Sequence, residues 1–443
     1  MPNPGAGPAL SAAPARNASL ARGDAALRVA VLGGGTVGRE VVRGLLASPD
    51  RLVAPGAPRI ELAGIAVRDI ESARARGLPA DALTDAPAHL VADPATDVVV
   101  ELMGGDEPAR TLVAAALSAG KSVVTANKHV IAHHGAELEA IARGTGAPLR
   151  FEAAVGGGIP VLGPLAGDLA ANRFERVRGI VNGTTNYILS AMADGRGTYE
   201  SVLREAQDQG YAEADPSGDV EGRDAINKLV ILARLAFGAW LDPERVVDRP
   251  PSLHGTGGPG ITGVTTAELE AAAALGLSIR LIATATGGTE SAIEASVIPM
   301  AVPADSPLGR TGGVRNRIEV TGTPVGTVGF DGPGAGGEAT SSAVLGDIAA
   351  IARGAGSTWA ALPAAGPAAS ATAPDPAGWT RRWFGFLPGV TAGRVLLELA
   401  EAHAEMPSGT AVRTTWLGLE SLRSRILEVA PESLDAPWYP IDD

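Results

Sequence analysis

The largest concentration of ionisable side chains lies between residues 206 and 230, in the segment AQDQGYAEADPSGDVEGRDAINKLV. Asp224 and Lys228 are four residues apart, so on a helix their side chains lie on the same face. A lysine beside a carboxylate can donate or accept a proton during a reaction. The plain structural alternative is an exposed ion pair, which adds little stability. Four further carboxylates precede this pair: Glu213, Asp215, Asp219 and Glu221.

A glycine cluster near the start of the chain could bind a dinucleotide. Gly33, Gly35 and Gly38 form the pattern G-x-G-x-x-G, with Thr36 and Val37 inside it. The first glycine permits a tight turn, the second lets the backbone approach a pyrophosphate, and the third lets a helix pack closely on a strand. Because the motif follows a strand-like run and begins a helix-like one, it favours cofactor binding over a structural turn.

The end of the second strand-like run should show which nicotinamide cofactor is used. An acid at this position binds a ribose 2′-hydroxyl, whereas an arginine accommodates a 2′-phosphate. The sequence has both, as Arg68 and Asp69, and Arg68 is one step nearer the strand. We therefore expect NADP rather than NAD; the structural alternative is a solvent-exposed ion pair between the two residues.

Metal and thiol chemistry have little support. The chain has no cysteine, which excludes disulfides, thiolate nucleophiles and thiolate metal sites. Of six histidines, only His129, His133 and His134 lie close together. A spacing of four on a helix could suit a metal, but we interpret these residues as a solvated helix start and predict no transition metal.

Composition predicts a multidomain globular protein. A chain of 443 residues with 45% hydrophobic residues can bury two or three cores. The formal net charge is -13, and the sequence has no run of basic residues that could bind nucleic acid or an anionic membrane. Residues 1–26 lack a signal-peptide apolar stretch and are predicted to be a disordered leader. No segment approaches the roughly 20 apolar residues of a membrane span, so we expect a soluble, cytoplasmic protein without nucleic-acid or membrane partners.

The elements that would position the glycine motif alternate between strand and helix. Strand-like runs occur at 27–32, 60–67, 96–103, 121–125 and 148–153, and helical ones include 107–119 and 135–143. This alternation predicts an α/β fold with a Rossmann-type, doubly wound parallel sheet. Beyond residue 155, the ranges 173–189 and 275–325 contain strand-like runs, while 198–209 and 222–238 resemble helices. They predict a second, α+β domain.

The domain boundaries follow from these patterns. We predict a nucleotide-binding domain at residues 27–155, to which a helix at 335–353 returns, and a second domain at 156–334. A flexible linker, 354–378, and a C-terminal appendage, 379–443, follow. The linker is rich in Ala, Pro, Gly and Ser. In the appendage, the pattern predicts strand, helix, strand, helix. A ligand-sensing module and an oligomerisation appendage fit this pattern equally well.

Seven separated motifs resemble, in order, those of the homoserine dehydrogenase family. They are VAVLGGGTVG, VELMGG, VVTANK, FEAAVGGGIP, GIVNGTTNYIL, GYAEADPSGDVEGRDAINKL and GAGGEATSSAVLGD, and they span residues 27–350. The resemblance implies an NAD(P)-dependent oxidoreductase that interconverts L-aspartate 4-semialdehyde and L-homoserine in threonine, methionine and isoleucine biosynthesis. It also implies a homodimer or homotetramer.

The resemblance also assigns roles to matching residues. Lys228 would donate the proton to the aldehyde oxygen, Lys128 would lie beside nicotinamide and substrate, and Asp224 would orient substrate or Lys228. Burial would lower the pKa of both lysines and help them exchange protons near neutral pH. Glu213 would bind the ammonium group of the substrate. Further substrate contacts would come from Asn182, Gly183, Thr184 and Asp219. Further cofactor contacts would come from Gly104, Thr125, Lys128 and Gly336.

A monovalent cation, usually sodium, is also implied by the resemblance. Its ligands would be mostly backbone carbonyls at Glu152, Val155, Gly157 and Ile159, and oxygen ligands suit such a hard ion. The C-terminus departs from the family pattern, because the turn of RRWFGFLPG lacks the aspartate of a regulatory ACT domain. A degenerate ACT domain is therefore one interpretation, and inhibition by threonine is not predicted. With only 26 residues before the first strand, we expect a monofunctional enzyme.

Overall fold

Six parallel strands form the first sheet of the computed structural model, which describes residues 26–47, 58–249, 258–288, 291–365, 380–389, 399–429, 431 and 436–442. The strands, β1 to β6, are Ala26–Leu32, Arg59–Ala66, Leu83–Thr84, Val98–Glu101, Ser122–Thr125 and Leu149–Arg150. Their order across the sheet is β3-β2-β1-β4-β5-β6. This order confirms the predicted doubly wound fold, whose ligand crevice lies where the order reverses, between β1 and β4.

Helices cover both faces of this sheet. Five of them, α1 to α5, are Thr36–Ala47, Ile70–Ala75, Pro87–Ala92, Ala109–Ser118 and Lys128–Thr145. All four residues of β4 and of β5 are buried, as expected for parallel strands packed on two sides. The apolar runs of the sequence are therefore continuous rather than alternating.

A five-stranded antiparallel sheet follows in the chain. Its strands, β7 to β11, are Arg173–Ile180, Leu277–Gly288, Ser291–Pro303, Arg315–Thr323 and Gly326–Pro333, in the order β11-β10-β7-β8-β9. Helices α6 to α11 are Leu162–Ala166, Gly183–Ala193, Tyr199–Asp208, Ser217–Val220, Arg223–Phe237 and Thr266–Ala274. Among them, α10 is the central packing element, since ten of its residues are buried.

Helix α12, Gly337–Ala352, returns to the first sheet. It packs against α1 so closely that a Cβ atom at Gly44 would lie 2.5 Å from a methyl of Leu345. At its start, a Cβ atom at Gly337 would lie 3.0 Å from Thr36. The N-termini of α1 and α12 are therefore neighbours.

The described residues of the C-terminal module form six strands and one helix. Strands β12 to β17 are Thr380–Arg381, Trp383–Pro388, Ala400–Met406, Gly409–Thr414, Leu417–Gly418 and Trp438–Pro440, and α13 is Leu419–Val429. Four of the strands form an antiparallel sheet in the order β14-β15-β13-β17. Trp383 and Trp438 from this module share a buried apolar cluster with Ile282, Ile298 and Met300 of β8 and β9. The module thus packs on the second sheet at β8 and β9.

Polar contacts reinforce this attachment. The hydroxyl of Tyr439 donates to Oε2 of Glu268 over 3.1 Å, and both side chains are buried. Asp442 accepts hydrogen bonds from Arg176 at 3.1 Å and from Arg178 at 2.7 Å, both on β7. Because β7 leads to residues 181 and 182, the module is anchored to a strand that reaches the candidate site.

Several predicted elements were wrong. The strand-like run expected within 173–189 is Arg173–Ile180, but the helix α7 that follows it was not predicted. Ala400–Met406 is a strand, although most of it lies in the stretch 391–405, which was expected to be helical. Residues 354–365, the described part of the predicted flexible linker, are docked, with Trp359 only 1% exposed. The leader 1–25 and residues 366–379 lie outside the described residues.

In the part of the chain that the structure describes, no helix is both long and apolar enough to cross a membrane.

Candidate active site

The carboxylate of Asp224 lies between two lysines. Its Oδ1 is 3.0 Å from Nζ of Lys128, and its Oδ2 is 2.7 Å from Nζ of Lys228. The side-chain amide of Asn182 donates to the same Oδ2 over 2.8 Å. The sequence brought only Asp224 and Lys228 together, one helical turn apart. The fold adds Lys128 from the other sheet and Asn182 from the end of β7.

Each of these side chains is at or near the start of a helix. Lys128 is the first residue of α5, and Asp224 is in the first turn of α10. Asn182 caps α7, because its Oδ1 accepts from the backbone N–H of Thr185 at 2.8 Å. This cap leaves the Asn182 amide NH2 free to donate to carboxylates. The helix N-termini favour negative charge at this point, which suits the Asp224 carboxylate.

The two lysines differ in burial. The Lys228 side chain is 10% exposed and Nζ also donates to the carbonyl of Val181 over 2.6 Å. The Lys128 side chain is 38% exposed. An exposed ion pair between Asp224 and Lys228, the structural alternative, is therefore wrong. Lys228 is held by two oxygen acceptors at the bottom of the site, while Lys128 borders its opening.

Electrostatics fix the charge of this group. Burial alone would raise the pKa of Asp224, but the ammonium groups of Lys228 and Lys128 hold that pKa far below its ordinary value. The Asp224 carboxylate in turn raises the pKa of Lys128, outweighing the opposite effect of desolvation. The expectation that burial would lower the Lys128 pKa is thus wrong, because the sequence did not reveal its carboxylate partner. At neutral pH, Asp224 is ionised and Lys128 protonated.

Other predicted substrate residues lie around this centre. Asp219 accepts from the Asn182 amide at 2.7 Å, and burial, followed by the nearby Asp224 charge, raises its pKa. The Thr184 hydroxyl donates to the carbonyl of Tyr211 over 2.7 Å, which ties α7 to the loop containing Glu213. Glu213 is exposed, and its charge helps to raise the Lys128 pKa. A Cβ atom at Gly183 would lie 2.8 Å from the Val314 carbonyl oxygen.

The glycine motif lines a cleft of about 760 Å³ at the switch point of the first sheet. Gly33 has a φ of +114°, and a Cβ atom there would lie 2.5 Å from the carbonyl oxygen of Leu102. At Gly38 a Cβ atom would lie 1.9 Å from the carbonyl oxygen of Gly33. Gly35, in contrast, faces open space. The outer glycines thus permit close packing, while the middle one leaves room for a ligand next to Thr36 and Val37 at the α1 N-terminus.

The opposite wall of this cleft depends on a buried acid that sequence analysis missed. Glu101, at the end of β4, accepts from the backbone N–H groups of Met103 at 2.8 Å and Gly104 at 3.2 Å. Its other oxygen accepts from the Thr125 hydroxyl at 2.6 Å. Burial raises the Glu101 pKa despite these bonds. An acid ending an apolar strand, within the motif VELMGG, was the available signal.

Two arginines line the far end of the cleft, Arg68 and Arg76, together with Ser72. Both guanidinium groups are exposed, and neither pairs with a carboxylate among the described residues. Asp69 is not paired with Arg68, because it caps α2 by accepting from the Ser72 N–H at 2.9 Å. The proposed ion pair between Arg68 and Asp69 is therefore not present. Sequence analysis missed Arg76, which is one helix further along the chain.

Gly336 immediately precedes α12 and also faces open space, with a φ of +115°. Since the starts of α12 and α1 are in contact, two helix N-termini converge beside Gly35 and Thr36. Such a pair of N-termini provides backbone N–H groups and partial positive charge for an anion. The part of the fold around Gly336 is therefore suited to a phosphate-bearing cofactor.

The predicted cation ligands form a buried turn at residues 152–159. The Glu152 carboxylate is fully used, since it accepts from the N–H groups of Val161 and Leu162 at 2.8 Å and of Gly163 at 2.7 Å. The carbonyls of Val155, Gly157 and Ile159 receive no hydrogen bond from any backbone N–H of the described residues.

Those three residues are buried, and Gly157 has a φ of +57°. Buried carbonyls without donors are chemically suited to a hard cation.

The three clustered histidines lie in the first two turns of α5. The His129 and His133 rings stack with centroids 4.2 Å apart, and Nε2 of His134 is 2.8 Å from Oδ1 of Asp106. Within the described ranges, no group of three or more His, Asp and Glu side chains could hold a metal ion. The contact with Asp106 instead joins α5 to the loop after Gly104.

Comparisons with known proteins match most of the chain. Residues 33–152 match the family described as homoserine dehydrogenase, NAD binding domain, and residues 160–349 match the family described as homoserine dehydrogenase. Homoserine dehydrogenase from Corynebacterium glutamicum is 43% identical over 347 residues, which are 77% of this chain and 75% of that protein.

Solved structures show the same likeness. A homoserine dehydrogenase from Thiobacillus denitrificans is 34% identical, with a TM-score of 0.81, covering 94% of this chain and 98% of that one. A hyperthermophilic archaeal homoserine dehydrogenase in complex with NADPH is 26% identical, with a TM-score of 0.61, covering 73% of this chain and 97% of that one. Both likenesses extend across the arrangement of the two sheets.

Proposed function

Because the chain belongs to the homoserine dehydrogenase family of NAD(P)-dependent oxidoreductases, we propose that it interconverts L-aspartate 4-semialdehyde and L-homoserine. This step belongs to threonine, methionine and isoleucine biosynthesis. The observation that carries the proposal is the Asp224 carboxylate between Lys128 and Lys228. In this arrangement the two lysines provide ammonium groups beside the crevice where a dinucleotide would bind.

Lys228 is assigned the proton transfer. The reduced nicotinamide, when bound, supplies hydride to the carbonyl carbon of the semialdehyde. Lys228 Nζ then donates a proton to the carbonyl oxygen, and in the reverse direction it accepts the hydroxyl proton. Asp224 and the Val181 carbonyl fix the position of Nζ. Lys128, whose pKa is raised by Asp224, remains charged and stabilises negative charge developing on the same oxygen.

The amino-acid end of the substrate requires its own contacts. Glu213 is exposed, near enough to influence the Lys128 pKa, and offers an anionic acceptor for the substrate ammonium. The 182–184 loop and Asp219 would complete the pocket. Asn182 already orients both Asp219 and Asp224, so it joins the binding residues to the proton-transfer residues.

The activity is tested by absorbance at 340 nm with purified protein, homoserine and NADP or NAD at alkaline pH. Appearance of reduced cofactor only when homoserine is present supports the proposal. Turnover with another amino acid in a substrate panel would instead indicate a related amino-acid dehydrogenase. Tight cofactor binding without any turnover would indicate a regulator that binds NAD(P) and has lost catalysis.

NADP is the proposed cofactor, bound through its 2′-phosphate by Arg68 and Arg76. Neither guanidinium pairs with a described carboxylate, and both line the cofactor cleft. We expect the double change Arg68→Ala and Arg76→Ala to raise KM for NADP by about tenfold to a hundredfold, the loss expected for charge-assisted hydrogen bonds. KM for NAD should change little, because NAD lacks the phosphate.

Steady-state kinetics with both cofactors measure this effect. Arg74→Ala is the matched control, since Arg74 lies on α2 but pairs with Glu71 at 2.9 Å. Equal increases of KM for NADP and NAD in the double variant would contradict the assignment.

A monovalent cation, probed as sodium, is proposed to bind the carbonyls of Val155, Gly157 and Ile159, with the Glu152 carbonyl as a further ligand. When bound, the ion supplies positive charge that fixes the turn between the two sheets. Sodium should raise the unfolding temperature, because a ligand that binds only the folded state stabilises it. The measurement compares sodium chloride with choline chloride at equal ionic strength, and equal unfolding temperatures would reject the site.

The organisation of the rest of the chain is proposed on the same basis. The nucleotide-binding unit is residues 27–155 with 335–353, and the substrate and dimerisation unit is 156–334. The sheet order β14-β15-β13-β17 supports a degenerate ACT domain for residues 379–443. The two central strands of this sheet, β13 and β15, are the first and third of its four strands along the chain. A homodimer or homotetramer and a cytoplasmic location stay predictions.

A further inference from the structure

A buried carboxylate far from the lysines joins the two helices that carry them. Glu139 of α5 accepts from Nε of Arg234 at 3.0 Å and from its Nη2 at 2.6 Å, and Arg234 lies on α10. Glu139 also accepts from Nε1 of Trp240 at 2.8 Å and from Nε of Arg143 at 2.8 Å. Glu139 is 2% exposed and Arg234 is fully buried. Four donors therefore converge on one carboxylate between the two helices.

The surrounding packing allows little movement. A Cβ atom at Gly135 on α5 would lie 2.4 Å from the ring of Trp240, so the helix approaches that ring as closely as a glycine permits. Nη2 of Arg234 also donates to the carbonyl of Pro363 over 2.8 Å, and Nη2 of Arg143 donates to that of Leu362 over 2.8 Å. The segment after α12 thus closes over the ion pair.

The position of this pair along each helix determines the arrangement of the helices. Glu139 is eleven residues after Lys128 on α5, and Arg234 is ten residues after Asp224 on α10. At a rise of 1.5 Å per residue these separations are roughly 16 Å and 15 Å. Since Lys128 touches Asp224 and Glu139 touches Arg234, the helices run side by side and parallel. A shift at one contact must move the other.

We propose that Glu139 and Arg234 are positioning residues that set the separation of Lys128 and Lys228 across Asp224. The inference rests on the proposed roles of these lysines in homoserine oxidation. Stability alone is a poor explanation of the pair, because well-packed apolar residues often replace a buried ion pair without loss of stability. Moreover, Nη1 of Arg234 is buried without a hydrogen-bond partner in the described structure. What the ion pair provides is a fixed register between two helices from different sheets.

The first test replaces the pair by apolar residues, in Glu139→Leu with Arg234→Met. We expect a folded protein whose kcat for homoserine falls by about tenfold to a hundredfold, as expected for misplacement of reacting groups by about 1 Å. The cofactor Kd should be unchanged. As Lys128 moves from Asp224, its raised pKa should fall, so the apparent pKa in the kcat profile that reports Lys128 moves to lower pH.

The matched control is Glu268→Gln with Tyr439→Phe, a buried polar pair that joins neither lysine helix. This control should keep the kcat and pH profile of the wild type, even if its unfolding temperature falls. If the apolar variant does not fold, Arg234→Lys decides the question, since it keeps the charge but loses the paired contacts to Glu139. Wild-type kcat and pH profile in a folded variant would overturn the inference. Absence of homoserine oxidation in the wild type would instead reject the proposed function.

Discussion

Replacement of Lys228 by alanine is expected to lower kcat by about a hundredfold or more, which is the usual contribution of a positioned acid or base. Nζ of Lys228 is held between the Asp224 carboxylate and the Val181 carbonyl. Alanine leaves both oxygens without this donor and leaves the substrate oxygen without a proton source. Since Lys228 does not line the cofactor cleft, cofactor affinity should remain close to that of the wild type.

Stopped-flow measurement of reduced cofactor with saturating homoserine gives kcat, and fluorescence titration gives the cofactor Kd. Lys121→Ala is the matched control, because Lys121 is also a buried lysine but precedes β5, at the amino end of the sheet. Its Nζ donates to the Asp93 carbonyl. A Lys228→Ala variant with unchanged kcat would remove Lys228 from the mechanism.

Replacement of Asp224 by asparagine is expected to have the second largest effect, with kcat falling by about tenfold to a hundredfold. Asparagine keeps the shape but leaves two ammonium groups beside a neutral amide. Because Asp224 raises the pKa of Lys128, its removal lowers that pKa. The apparent pKa in the kcat profile that reports Lys128 should therefore move to lower pH.

The same substitution gives a prediction for stability. The folded-state pKa of Asp224 is depressed, so its stabilising contribution is present above the ordinary carboxyl pKa and is lost as pH falls through the folded value. Urea unfolding should show wild type more stable than Asp224→Asn near neutral pH, with a smaller difference at about pH 3. Asp208→Asn is the control, since that carboxylate is exposed. An unchanged difference between the two pH values would contradict the assigned ionisation.

Most of the fold could be predicted from apolar runs, but two elements could not. Helix α7 was not predicted, because the sequence of Thr184 to Leu189 shows no helical period of polar residues; all six are buried in the structure. Ala400–Met406 was taken for a helix because its alanine and glutamate residues favour one locally. There, pairing with β15 outweighs local preference.

The candidate site was predictable where its residues are neighbours in sequence. Asp224 and Lys228 could be paired from their spacing, but the contact of Asp224 with Lys128 joins positions from different sheets. The pair of Glu139 with Arg234 was missed for the same reason, because these partners meet only in the tertiary structure. Glu101 was missed although two of its hydrogen bonds, from the N–H groups of Met103 and Gly104, are local. A spacing of four residues relates side chains on one helix, whereas the charged groups of this site lie on two helices, α5 and α10.

The attachment of the C-terminal module has an evolutionary consequence. Its tryptophans cover Ile282, Ile298 and Met300, each no more than 2% exposed. A stop codon after the linker would uncover these side chains together and leave Arg176 and Arg178 without Asp442. A single truncation would therefore expose an apolar patch and make the chain prone to aggregation. We therefore expect that loss of the module would require polar substitutions on β8 and β9 as well.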